Sequence, residues 1–145
     1  MTPDVNVVIA AFRDDHPNHQ TARSWLIKAL AECAKGASFQ LLPMVVASFL
    51  RLVTNAKIFL GPATIDEAIM FINSLLESPC VQMPNQAVEW PTLRRLCIEK
   101  RLVGNDLPDA WLAATVLQNG DHLVTFDVGF KKLMPSRFVT VLSGK

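Results

Sequence analysis

Apolar residues along the chain fall into two patterns: short uninterrupted runs, and longer segments in which they return every three or four positions. His122–Phe126 is such a run and reads as a buried strand; Ser38–Leu42, which alternates before turning apolar, Cys80–Pro84 and Phe138–Leu142 read as further short strands. Pro3-Asp4-Val5-Asn6 reads as the end of a first strand turning into a short helix that stops near Arg13-Asp14-Asp15. Helical spacing is clear from His19 to Cys33, where Ala22, Trp25, Leu26, Ala29, Leu30 and Cys33 share a face. It returns over Met44–Thr54, and again from Thr64 through Ala68, Ile69, Phe71, Ile72, Leu75 and Leu76. Leu93, Leu96, Cys97 and Leu102 mark a further helix, and Val128–Leu133 a last short one.

The punctuation agrees with these elements. Thr64 and Glu67 stand three apart as in a capping box, and Asn18 and Asn85 are candidate N-caps. Pro91 marks a kink or a true helix start. Gly104-Asn105 reads as a turn, after which the chain enters a helix through Pro108-Asp109 and leaves it at Asn119-Gly120. Strands alternating with helices predict a parallel sheet covered on both faces. With no repeat, low-complexity tract or interior linker, residues 1–145 form one α/β domain.

Composition narrows the setting. Half of the 145 residues are hydrophobic and mean hydropathy is +0.27, which calls for a deeply buried sheet, an apolar interface, or both. No apolar run reaches the length of a membrane span, and the opening residues lack the pattern of a secretory leader. Cys33, Cys80 and Cys97 are odd in number and far apart, and read as reduced thiols of a cytoplasmic protein, neither a disulfide frame nor a zinc site. His16 and His19 lack the convergent partners a metal would need. A net charge of +1 says little about polyanions. Two local basic clusters stand out nonetheless: Arg94, Arg95, Lys100 and Arg101, and later Lys131, Lys132 and Arg137.

The candidate chemistry is carboxylate chemistry. Asp4 ends the first strand, Asp109 opens a helix, and Asp127 ends the His122–Phe126 strand. Each alone is an ordinary helix cap. Ligands of parallel α/β sheets bind at the carboxyl ends of the strands, and three aspartates there would repel one another unless a cation lay between them.

In these segments the chain resembles the PIN-domain ribonucleases, specifically the VapC-type toxins of bacterial toxin–antitoxin pairs. The resemblance rests on Asp4-Val5-Asn6-Val7-Val8, the segment from His16 to Leu26, and Phe49-Leu50-Arg51-Leu52-Val53-Thr54-Asn55. It continues through Gly104-Asn105, Pro108-Asp109-Ala110-Trp111-Leu112-Ala113-Ala114 and Thr125-Phe126-Asp127 with Phe130. These pieces occur in order over essentially the whole chain.

The resemblance implies a three-layer α/β/α PIN-like domain with a central, mainly parallel sheet. It implies a Mg²⁺- or Mn²⁺-dependent endoribonuclease acting as the toxin of a VapBC-type pair on RNA such as tRNA or rRNA, in the cytoplasm. Asp4 and Asp109 would be the first metal ligands, Asp127 would help directly or through water, Asn6 would orient Asp4, and Thr125 would support the site. The implied partners are a VapB-like antitoxin, the RNA and a second copy of the chain in a homodimer, without a membrane. Many PIN proteins carry a glutamate on the third helix, at a place that falls near Ser48; here no Asp or Glu occurs between Glu32 and Asp66. Asp106, three residues before Asp109, is a candidate substitute ligand or else a helix cap. The missing glutamate keeps open a catalytically weak PIN module that binds RNA or a partner protein. An aspartyl phosphoryl-transfer domain is a further alternative, which the absence of a nucleophile motif after the first strand disfavours.

Overall fold

In the computed structural model, which describes residues 1–84, 89–102 and 106–144, the sheet forms the middle layer. β1 (Thr2–Pro3), β4 (Leu123–Thr125) and β5 (Val139–Val141) form one parallel set in the order β1-β4-β5. β2 (Phe39–Gln40) pairs in parallel with β3 (Val81–Gln82). Gln40 N donates to Met1 O at 2.8 Å, which sets β2 beside β1 and joins the two sets in the spatial order β3-β2-β1-β4-β5. In register, Thr2 faces Leu123, Pro3 faces Val124, and Thr125 faces Val141. The strands are shorter than their apolar runs predict. Leu41 and Leu42 are fully buried without pairing as strand, because the chain passes directly into the next helix at Pro43.

The helices are α1 (Val5–Phe12), α2 (His19–Ala34), α3 (Pro43–Val53), α4 (Ile65–Leu76), α5 (Trp90–Lys100) and α6 (Asp106–Gln118). Their ends follow the punctuation. Thr64 Oγ1 accepts from Glu67 N at 3.2 Å, and Pro91 sits in the first turn of α5 and does not kink it. Gly120, with φ +63°, lies just past the end of α6, in the left-handed region that glycine enters without strain. Asn18 stands at the cap position of α2, but its side chain makes no capping bond; its backbone N–H donates to His16 Nδ1. Asn85, Gly104 and Asn105 lie outside the described residues, and so does the side chain of Arg94.

Phe39, Phe49, Phe130, Leu41, Leu42 and Leu123 are the largest side chains of the core. Burying each contributes about 1.5–3 kcal/mol. Phe12, Phe49 and Phe71 pack ring against ring, tying α1, α3 and α4 together. At the end of α1, Arg13 is buried. Its fork donates to both Asp15 oxygens (2.9 and 2.6 Å) and to Gly61 O (2.9 Å), and its guanidinium lies 4.2 Å from the centre of the Phe59 ring.

The cysteine reading is corrected by the fold. Cys33, at the end of α2, is disulfide-bonded to Cys80, just before β3; Cys97 is free. Two cysteines 47 residues apart meet because β2 and β3 lie side by side. No helix among the described residues is long and apolar enough to cross a membrane.

Candidate active site

Asp4 leaves β1 and caps α1, its Oδ1 accepting from Val5 N at 2.7 Å. Its other oxygen, Oδ2, accepts from the Thr125 hydroxyl at 2.7 Å, across the sheet on the neighbouring strand. Thr125 has no exposed surface, and its hydroxyl has one proton to give. Having given it to Asp4, the oxygen accepts from Asn6 Nδ2 (3.2 Å) and from Asp127 N (3.0 Å). Asn6 Oδ1 in turn accepts from Phe126 N at 3.2 Å. Asn6 therefore bears on Asp4 through the Thr125 hydroxyl that holds it. Asp127 caps a 3₁₀ turn, Val128–Lys132, by accepting from Gly129 N at 2.7 Å. A Cβ at Gly129 would come to 3.0 Å from that same carboxylate oxygen, so the cap is built for glycine.

Asp109 lies in the first turn of α6, half-buried. Asp4 and Asp109 line one cavity of about 710 Å³, together with Met44, Ser48, Leu93 and Trp111. Ser48 thus occupies the wall where the family's glutamate would stand. The charges interact across this space. Burial pushes the Asp4 carboxyl up to about 6 from 3.8, and the negative charges of Asp109 and Asp127 push the same way, against the hydrogen bonds from Thr125 and Val5. Asp109 is raised too, by burial first and then by Asp127 and Asp106. Asp106 is exposed and lies at the very start of α6, acting on Asp109 through its charge.

Among the described residues no three His, Cys, Asp or Glu side chains converge closely enough to hold an ion together. Mg²⁺ does not demand three: one or two carboxylates suffice, with water and substrate phosphate completing the octahedron. Asp4 and Asp109, lining one cavity and each pushed up by burial and then by neighbouring negative groups, fit that donor set.

The three histidines serve the fold. His19 Nδ1 donates to Ala10 O at 2.8 Å, His16 Nδ1 accepts from Asn18 N, and His122 Nε2 bonds with Thr140 Oγ1 at 2.6 Å. Trp111 was not foreseen as part of the site. Its indole N–H donates to the buried Glu89 at 2.8 Å while the residue lines the acidic cavity. Helical periodicity separates positions two apart, so nothing in the sequence pattern set Trp111 beside Asp109.

A parallel three-layer domain with aspartates at two strand ends and in the first turn of a helix defines a class, and similar proteins agree with it. The PIN domain family model matches residues 1–134, and the chain belongs to that family, in its VapC branch. It is 36% identical over 137 residues to Ribonuclease VapC31 of Mycobacterium tuberculosis, covering 94% of both chains. Ribonuclease VapC25 of the same organism is 36% identical over 140 residues, again with 94% of each chain covered, and Ribonuclease VapC43 is 32% identical over 144 residues. Among solved structures the fold is shared with VapBC2 from Rickettsia felis bound to a DNA fragment from their promoter, with a TM-score of 0.65 over 98% of each chain at 16% identity.

Proposed function

We propose that the chain is a metal-dependent endoribonuclease, the toxin of a VapBC-type pair, cutting phosphodiester bonds in a structured RNA such as tRNA or rRNA in the cytoplasm. The observation that carries this reading is the aspartate cluster itself: Asp4 is held buried by Thr125 and Val5 beside two further negative charges. Capping accounts for Asp4 and Asp127 singly, and a divalent cation would relieve the repulsion among the aspartates together. Asp4 and Asp109 would hold the ion, Asp127 would act on it directly or through water, and Asp106 would add field at the entrance. When bound, the ion supplies Lewis acidity and a water nucleophile at neutral pH. The chain's own part is to fix the donors, with Thr125 and Asn6 holding Asp4 and Gly129 holding Asp127. The apolar wall of Met44, Leu93 and Trp111 keeps bulk water from one side of the cavity.

Ser48 in the glutamate's place favours the second reading, a slow or inactive PIN module that binds RNA or a partner protein. The partners follow from the first reading. The apolar cavity suits a helix of a VapB-like antitoxin, with an arginine fork pairing with the carboxylates. Exposed Ile69 and Met70 on α4 and Ile98 on α5 supply apolar surface for a homodimer.

Purified protein incubated with total RNA, with and without Mg²⁺ or Mn²⁺, decides between the two. Cleavage that is abolished by EDTA and by Asp4→Asn or Asp109→Asn, with circular dichroism unchanged, is the expected result. Full-rate cleavage in chelator would remove the metal from the scheme, and no cleavage under any condition would leave the binding module.

A further inference from the structure

The fold brings together the two basic clusters that the chain keeps apart. Arg95 and Lys100 of α5 and Lys131 and Lys132 at the end of the 3₁₀ turn line one groove of about 480 Å³, floored by Leu96, Leu117 and Met134. The only carboxylate among the described residues that line it, Glu99, is taken up by Arg95 at 3.3 Å. Lys100, Lys131 and Lys132 make no ion pair with any described residue. Arg137 is elsewhere engaged, its guanidinium 4.8 Å from the centre of the Phe138 ring. Three like charges are thus gathered over an apolar floor in a chain whose net charge is only +1.

The groove and the acidic site share no described lining residue, but two elements carry residues of both. α5 turns Leu93 and Cys97 toward the acidic cavity, and Arg95, Leu96, Glu99 and Lys100 toward the groove. The 3₁₀ turn begins at its cap, Asp127, and ends at Lys132. At about 2 Å of rise per residue, the backbone of Lys131 and Lys132 lies about 8–10 Å along the turn from that of Asp127. A polyanion lying in the groove need only continue around α5 or along this turn to reach the carboxylates.

We propose that this groove binds the sugar–phosphate backbone of the RNA beside the bond to be cut, with Lys100, Lys131 and Lys132 as the phosphate-contacting residues. The proposal rests on the ribonuclease reading above. A recessed groove with an apolar floor suits a single strand, whose phosphates meet the lysines on the rim while ribose and base edges cover the floor. A flat anionic lipid surface would reach the rim alone.

The test uses the full chain carrying Asp109→Asn, to prevent turnover, and a labelled single-stranded RNA of about 12 nucleotides. Its affinity is read by fluorescence anisotropy at salt concentrations between about 50 and 200 mM. Lys131→Gln with Lys132→Gln is expected to weaken binding most at low salt. The slope of log affinity against log salt should become shallower by about 1.4, about 0.7 for each phosphate that is no longer neutralised. Lys131→Arg with Lys132→Arg should restore the slope. With Asp109 intact, the glutamine pair should slow cleavage of the long RNA at sub-saturating concentration and leave a substrate too short to reach the groove unaffected. An unchanged slope would overturn the proposal, and so would equal losses on long and short substrates. Lysine-dependent binding to phosphatidylserine vesicles without lysine-dependent RNA binding would assign the groove to a membrane instead. If the RNA binds with the expected slope but is never cut, the groove stands and the nuclease reading falls.

Discussion

The hydroxyl of Thr125 donates to Asp4 Oδ2 at 2.7 Å, joining residues that are 121 positions apart in the chain. The same oxygen accepts from Asn6 and from the backbone of Asp127, so one fully buried atom serves three positions of the site. Thr125→Val keeps the shape, strips a buried carboxylate of a donor and leaves two donors without an acceptor. It should destabilise the protein by about 1–3 kcal/mol and raise the Asp4 carboxyl further. Thr125→Ser should recover most of the loss. Urea denaturation of the three proteins measures both effects; a valine variant as stable as the parent would show that the hydroxyl is dispensable.

Burial makes the Asp4 proton a stability switch. The folded carboxyl titrates at about 6 and the unfolded one near 3.8, so between these values the folded state holds a proton that the unfolded state releases. Stability without metal therefore falls as pH rises from about 4 to about 6, and above that range the full cost, about 3 kcal/mol, is present. Asp109, raised in the same direction, adds to the trend. Asp4→Asn should be more stable than the parent at pH 7.5 in EDTA and close to it at pH 4. Denaturation midpoints at the two pH values check this, and an equal difference at both would contradict it.

Ser48 shares the cavity of Asp4 and Asp109, so Ser48→Glu would add a further carboxylate to that space. In EDTA the added repulsion should cost about 1 kcal/mol or more, about 4 °C in melting temperature for a chain of this length. Millimolar Mg²⁺ or Mn²⁺ should return more than that, since an ion bound only by the folded state stabilises it in proportion to its affinity. Thermal melts with and without the ion are the measurement. A variant that melts lower in EDTA and gains no more than the parent from metal would place the residue 48 side chain out of reach of the ion.

Reduction of the Cys33–Cys80 disulfide frees a loop of 47 residues, which includes α3 and α4. The chain-entropy relation sets the lost stabilisation at about 4 kcal/mol. Urea midpoints with and without dithiothreitol should differ accordingly, and Cys33→Ser should mimic the reduced form.

What could be read from the chain was whatever neighbouring residues decide. Pro108 lies in the first turn of α6 and Gly120 just past its end, as their backbone geometry favours, and Asp4, Asp109 and Asp127 stood out because each falls at or near the end of an element. Strand length was overread. A run such as Ser38–Leu42 records burial: Leu41 still donates its backbone N–H to Gln82 O at 2.7 Å, but Leu42 is buried beyond the strand pair, at the start of α3. Partnerships across the chain left no local trace. Cys33 meets Cys80, Trp111 meets Glu89, and Lys132 shares a groove with Lys100 only because parallel strands carry distant segments to adjacent places.

Arg13 has a different kind of consequence. Its fork joins the turn after α1 to the turn before α4 through Asp15 and Gly61, and its flat face rests on Phe59. Opening either turn would strand a buried cation, so the Arg13 contacts hold the two together. α1 connects this joint to Asp4, eight helical residues away, a span of about 12 Å. The helix that Asp4 caps at one end is thus tied at the other, through Arg13, to the turn that leads into α4.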